Sequence, residues 1–415
     1  MTISYPLTRK KKNSPGVLHD MLVGPEEHET VRPTGPQRIM LVQTQAENGG
    51  AQEISRLLSK GLEARGYVVQ QLFFFRRTES FDNLPNAAFC CLERPSGPWT
   101  FMKFLGRLWS EIRKFRPDVL MTFQHYGNFF GVPMAHLAGV RHVIANQNSA
   151  PTLMNRMLRL SDKLAGMLGL YHANVSNSCE TEQEFSNYPA SYRRRVVHVP
   201  HGFQDKSTDL SKTEARRLFD LPVDVALMGT VSRLNVLKNI EAPIKSLADL
   251  PDVHLAVAGQ GCHKAALVEL ATSVGVADRV HFIGEVASGR VGEFLAALDL
   301  FVFPSLAETF GLAGVEAAQA GVPVVANRLP VLEEVLSVDG KPCALFVDAS
   351  DVPALTNGIR QVLTDEALVR SLVTAGRQLE AKYSLDAMVD GYVQLIDDLE
   401  RKALRPGKGM SIAKA

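Results

Sequence analysis

A chain of 415 residues with 45 basic and 44 acidic side chains, a net charge of +1 and 46% hydrophobic residues is long enough for two hydrophobic cores. Its near-neutral balance provides no broad positive field for gathering nucleic acid, which argues against that partner. Five scattered cysteines (Cys90, Cys91, Cys179, Cys262, Cys343), odd in number and without a CxxC spacing, exclude a disulfide framework or a zinc site and point to a reducing, cytoplasmic location.

Residues 1–36 are rich in Pro, Gly, Lys and Glu and are expected to form a disordered leader. The basic run Arg9–Lys12 has no apolar stretch after it, so it does not have the form of a signal peptide. No segment reaches the roughly 18 apolar residues of a spanning helix. From Arg38 the pattern alternates. "RIMLVQT" predicts a strand, Ala51 to Arg65 places Ile54, Leu57, Leu58 and Leu62 on one helical face, and "YVVQQLFFF" predicts a second strand. "DVLMTFQ", "HVIANQ", "HANVSNS" and "RVVHVP" continue a parallel α/β series over residues 37–204.

Within that half, "TFMKFLGRLWSEIRKFRPD" puts Phe101, Leu105, Leu108, Ile112 and Phe115 on one helical face with basic residues around it. Such a helix could lie on an anionic membrane, but it feeds directly into the next strand, so its apolar face is expected to pack on the sheet. After a polar linker the alternation restarts over 205–382 with "VALMGTVSR", "VHLAVAG", "RVHFIG", "LDLFVFPS", "VPVVAN" and "CALFVD". Continuous apolar runs of this kind predict strands buried on both faces. An amphipathic helix is expected over 383–405, followed by a tail over 406–415.

Ligands of open parallel sheets bind beyond the carboxyl ends of the strands. Four such loops stand out. "TQAENGGAQE" sets Gly49 and Gly50 where backbone N–H groups could approach an anion, or where a plain tight turn is needed. "GTVSRLNVLKN" carries Arg233 and Lys238, which suit a diphosphate but also an ordinary solvated loop. "VAGQGCHK" reads as a turn through Gly259 and Gly261. In "PSLAETFGLAGVEAAQAGVPVVAN" a helix is expected to start at about Phe310 or Gly311, leaving Glu308 in the loop and Glu316 in the second turn. Two carboxylates so spaced in a small, apolar segment could hold the two ends of a nucleotide-sugar, with the diphosphate at the helix N-terminus between them.

These motifs, together with "RVHFIGEV" and "NGGAQEISRLLSKGLEARGYVV", resemble glycosyltransferase family 4 over about residues 38–402. The resemblance implies a GT-B fold: two doubly wound, Rossmann-like parallel-sheet domains facing across a cleft, with the C-terminal helix crossing back to the first. It implies a retaining hexosyltransferase that takes a nucleotide-diphosphate sugar as donor and a glycan or lipid-linked molecule as acceptor, in polysaccharide or lipopolysaccharide-type synthesis. The first domain would bind the acceptor and the second the donor. Arg233 and Lys238 would bind the diphosphate, Glu316 the ribose, and Glu308 with the amides of Phe310, Gly311 and Leu312 the sugar and phosphates. Gly49 and Gly50 would face the diphosphate, and His125 would lie near the transferred sugar.

No cofactor and no metal is expected, in keeping with the lack of a DxD triplet. His198 and His201 have the spacing of a metal pair, but the family shows a Pro-Asn-Gly-x-Asp linker turn there, from which this chain departs at His201 and Gln204. Rival readings are a nucleotide-sugar epimerase or hydrolase, a catalytically silent nucleotide-sugar-binding subunit, and a two-domain solute-binding protein. Peripheral contact with the cytosolic face of a membrane is a further expectation.

Overall fold

A computed structural model describes residues 37–148 and 154–404. The expected leader, 1–36, and tail, 406–415, lie outside the described residues, as does the last position of the expected helix, 405. Seven strands build the first sheet: β1 (Arg38–Ala46), β2 (Val68–Arg76), β3 (Ala87–Cys91), β4 (Val119–Phe123), β5 (His142–Asn146), β6 (Ala173–Ser176) and β7 (Val196–His198). All neighbours run parallel, in the order β3-β2-β1-β4-β5-β6-β7. Because side chains alternate along a strand, Ile39 and Leu41 enter one core and Met40 and Val42 the other. The first core is closed by Ile54, Leu57, Leu58 and Leu62 of α1 (Gly50–Ala64), the face foreseen for that helix.

The second core is covered by α2 (Pro98–Phe115) and α3 (Gln124–Leu137), with α4 (Arg156–Leu168) beside α3. Leu108 and Ile112 are fully buried here, joined by Phe104, while Phe101, Leu105 and Phe115 pack part-buried against the same core. The apolar face of α2 therefore packs on the sheet, as expected from its short lead into β4.

The second sheet contains β8 (Ala226–Val231), β9 (Val253–Ala258), β10 (Val280–Gly284), β11 (Leu300–Phe303), β12 (Val324–Asn327) and an edge strand, Leu345–Val347. Its order is β10-β9-β8-β11-β12 and then that edge, again all parallel. Both faces are covered, by separate apolar clusters. This explains why these strands read as unbroken apolar runs. Among the strands, β3, whose Ala-Ala-Phe-Cys-Cys has no β-branched residue, and a short ribbon pairing Ser337–Val338 with Lys341–Pro342 were not foreseen.

The final helix, Leu385–Leu404, returns to the first sheet. Met388, Val389, Tyr392 and Ile396 join the core beneath β1 and α1, and Arg65 pairs with Asp386 and Asp390 at the helix start. The fully buried Tyr392 donates its hydroxyl to Asn146 Oδ1 at 2.5 Å, and Asn146 Nδ2 donates to the Thr122 carbonyl. Tyr392→Phe would leave that Asn146 oxygen buried without its donor. It is expected to lower the unfolding free energy by about 1–3 kcal/mol, read as a lower urea midpoint with an unchanged slope.

Candidate active site

Because every strand of each large sheet runs parallel to its neighbours, the loops at the strand carboxyl ends gather on one edge. The edges of the two sheets meet at a cleft of about 710 Å³. The first half contributes the Glu47–Ile54 turn, Arg77 and Gln124. The second contributes Ser232–Asn235 with Lys238, Gly259–Cys262, and Glu308–Ala313 with Glu316.

Two glycine sites show how these loops are shaped. A Cβ on Gly259 would lie 1.8 Å from the Ser232 carbonyl oxygen, and one on Gly261 would lie 2.0 Å from that of Leu234. Gly259 and Gly261 are thus required because the loop after β9 rests directly on the loop that carries Arg233. Gly311 has φ +86°, and a Cβ there would meet Leu332 Cδ2 at 2.5 Å. It caps the helix Leu312–Gln319, which starts a residue or two later than the sequence suggests, since the left-handed cap residue cannot itself be helical. Phe310 is buried, with its ring edge-on to His201 at 5.2 Å and to Tyr383 at 5.0 Å. Gly49 is the extended cap of α1, and a Cβ on Gly50 would meet nothing within 4 Å.

The cations of the cleft are paired with carboxylates. Lys238 Nζ lies 2.5 Å from Glu308 Oε1. Arg233 Nη1 lies 2.9 Å from Glu47 Oε1, and Arg77 Nε lies 3.3 Å from the other Glu47 oxygen. The Arg233–Glu47 pair joins the two halves of the molecule.

Deeper in the same seam, Lys206 and Glu316 are both nearly inaccessible, with Nζ 3.4 Å from Oε1. Lys206 Nζ also donates to the Ser288 carbonyl at 3.1 Å, and Ser288 Oγ donates to Glu53 at 2.6 Å. Arg56 donates to both Glu53 oxygens, at 2.7 and 2.9 Å. Burial pushes the Glu316 carboxyl up to about 7, with Lys206 opposing the shift and Glu53 adding to it. Burial would raise Glu53 too, but hydrogen bonds and charge from Arg56, with Ser288 and Lys206, hold it below its ordinary value.

Nine of the ten side chains or glycines expected at the site line this one cleft: Gly49, Gly50, Arg233, Lys238, Glu308, Phe310, Gly311, Leu312 and Glu316. The tenth, His125, is half-buried at the start of α3, against Tyr126, and burial holds its pKa below the usual histidine value. The lining includes its neighbour Gln124, at φ +65°, and not His125 itself. His201 does line the cleft, with Nε2 facing the amides of Asn148 at 3.2 Å and Asn177 at 2.9 Å, and burial pushes its pKa down to about 3. It is a neutral member of an amide network. Among the described residues no cluster of three or more His, Cys, Asp or Glu side chains is placed to hold a metal ion.

Glu47, Glu53, Lys206 and Ser288 were not singled out from the sequence. Glu53 and Arg56, three apart on α1, had a legible pair spacing, whereas Lys206 and Ser288 sit in polar segments that carry no such signal.

Residues 211–379 match the family model described as glycosyl transferases group 1. The lipopolysaccharide core biosynthesis glycosyltransferase LpsE of Rhizobium meliloti is 33% identical over 237 residues, covering 55% of this chain and 68% of LpsE. The D-inositol 3-phosphate glycosyltransferase of Mycolicibacterium smegmatis is 33% identical over 239 residues, covering 56% of this chain. The chain spans just over half, 55%, of the length of that relative. By fold it is similar to the sucrose-phosphate synthase of Thermosynechococcus elongatus, with a TM-score of 0.74 at 20% identity over 88% of this chain and 99% of that one. It is equally similar to Anabaena HepE in complex with UDP-glucose, with a TM-score of 0.74 at 18% identity over 87% of this chain and 99% of that one. The architecture is GT-B, and the chain belongs to the group 1 glycosyltransferases.

Glu316 makes a pH signature for the seam. A carboxyl raised from 4.5 to about 7 on folding takes up a proton as the chain folds. Its contribution to stability is therefore intact below pH 4.5 and is lost as pH rises toward 7. Between pH 5 and 8 the wild type is expected to lose about 2 to 3 kcal/mol relative to Glu316→Gln, which lacks this titration. Urea denaturation of both proteins at several pH values checks this; parallel curves would remove the assigned shift.

Proposed function

We propose that this chain is a retaining, metal-independent hexosyltransferase. It moves a hexose-type sugar from a nucleotide-diphosphate sugar to a glycan or lipid-linked acceptor in polysaccharide or lipopolysaccharide-type synthesis. The observation that carries this reading is the convergence of Arg233, Lys238, Glu308, Glu316, the Gly49–Gly50 turn and the N-terminus of the Leu312–Gln319 helix on one cleft. The names of LpsE and of the inositol-phosphate enzymes, and the UDP-glucose held by HepE, support the same direction.

In this reading the diphosphate competes with Glu47 for Arg233 and with Glu308 for Lys238. The first N–H groups of the helix, which lack intrahelical partners, take the remaining phosphate oxygens, and Gly50 leaves room for backbone approach from the other half. Glu316 accepts from the ribose hydroxyls, trading part of its contact with Lys206. Glu308, released from Lys238, accepts from sugar hydroxyls.

As the bond between the anomeric carbon and the diphosphate oxygen breaks, its electron pair stays on the phosphate. Fixed cations aimed there stabilise the transition state more than the bound donor. The acceptor hydroxyl attacks from the face the leaving group departs and gives its proton to the departing diphosphate oxygen, so configuration is preserved and the step balances. The charge carried elsewhere by a metal is assigned here to Arg233 and Lys238, so transfer is expected to survive EDTA.

A thermal-shift and calorimetric screen against UDP, GDP, ADP and their sugar conjugates, with EDTA present, tests the donor site. One nucleotide is expected to raise the melting temperature saturably. A folded protein that responds to none of them would sink the reading. With the donor known, Lys238→Ala and Arg233→Ala are each expected to lower turnover by about 100- to 1000-fold. Glu316→Ala is expected to weaken nucleotide binding by about tenfold, with a smaller effect on the chemical step. His125→Ala is expected to slow transfer; an unchanged kcat would remove His125 from the machinery.

A further inference from the structure

The outer surface of the first half has an apolar face that neither the sheet nor the cleft uses. On α4, Leu158, Asp162 and Gly166 point inward, and Asp162 is held by Tyr171, Tyr192 and Gln147. The opposite side presents Met157, Leu160, Leu164, Met167 and Leu168, between 40% and 74% exposed. Their spacing of three, four and three residues, with Leu168 beside Met167, makes one continuous stripe along the helix. Arg156, Arg159 and Lys163 flank it on one side, and α4 has no exposed acid.

A second stripe runs along α2. Trp99 is 72% exposed and Met102 60%, with Gly106, Trp109 and Arg113 continuing the same line. Lys103 lies over the Trp99 ring at 5.6 Å and Arg113 over the Trp109 ring at 4.9 Å. Four basic residues and one acid, Glu111, occupy α2. Both helices cover the same face of the sheet, with α3 between them, and α3 adds the exposed Leu137. In a chain whose total charge is +1, this face is locally basic as well as apolar.

We propose that the α2 and α4 face docks on an anionic lipid bilayer. Apolar side chains would enter the acyl boundary, the indoles would lie at headgroup level, and the flanking Arg and Lys would meet lipid phosphates. Exposed apolar area of this extent marks a docking surface of some kind, and its charge selects the occupant. Protein interfaces deplete Lys at their centre, and a symmetric pairing of two copies through this face would set identical basic flanks against each other. The inference rests on the exposed side chains alone and does not depend on the donor site.

The chain has two tryptophans, Trp99 and Trp109, so the wild-type protein reports on its own docking. The full chain is mixed with vesicles of phosphatidylcholine alone, or of an equal mixture with phosphatidylglycerol. Co-sedimentation with the mixed vesicles only, weakened by salt, with a blue shift of tryptophan emission, is expected. Leu160→Glu with Leu164→Glu is expected to lower partitioning by about a hundredfold with the melting temperature unchanged. Arg156→Glu with Arg159→Glu, which leaves the apolar stripe intact, should lower it on anionic vesicles as well.

Wild type that neither sediments nor shifts its emission would overturn the proposal, as would binding that all four substitutions leave unchanged. A dimer in ultracentrifugation that Leu164→Glu dissolves would overturn it too, by giving the face to a second copy. Nucleotide binding measured on the same samples separates these outcomes from failure of the transferase reading.

Discussion

Glu316 and Lys206 are buried against each other where the two halves of the molecule meet, and neither charge could be there alone. Removing a charged group from water costs several kcal/mol unless a partner and further hydrogen bonds offset it. Here the offset is supplied by both halves: Glu53 and Arg56 from α1, Ser288 from the turn after β10, and Lys206 from the segment linking the two sheets. The arrangement of the halves is thereby tied to the charge state of one cluster. That cluster sits at the inner wall of the cleft.

The same constraint shapes what the cleft can do. Each cation that faces it already has a carboxylate partner, Arg233 with Glu47 and Lys238 with Glu308. A polyanionic ligand must displace these carboxylates, and a ligand with hydroxyls can then use them as acceptors. Exchange of partners costs less than solvating a bare charge in a partly closed site, because the protein dipoles are already oriented. The glycines serve this end. Gly259 and Gly261 let one loop lie on another, and Gly311 turns the chain so that a helix starts facing the cleft.

Much of the architecture was legible because the strands are buried on both faces and the helices on one. The unbroken runs "LDLFVFPS" and "VPVVAN" announced β11 and β12, and the Ile54, Leu57, Leu58, Leu62 spacing announced α1. β3 escaped because its five residues have no β-branched side chain, and its place at the sheet edge asks little of them. On α2 the inward face was read correctly, whereas Trp99, Met102 and Trp109 on its outer side were not. A periodicity search finds the stripe that a core buries and does not show that an adjacent stripe is left exposed.

The sequence by itself determined the two parallel sheets, the strand-end loops and the residue types in them, since hydrophobic period and loop chemistry are local properties. The spacing of Glu308 and Glu316, and the placing of Arg233 and Lys238 just past a buried strand, were visible for the same reason. Only the tertiary structure decided the partners. Glu47 meets Arg233 across 186 positions and Glu53 meets Ser288 across 235. A pairing between distant segments is set by how two sheets pack, and charge at one position has no local signature of the charge it will face.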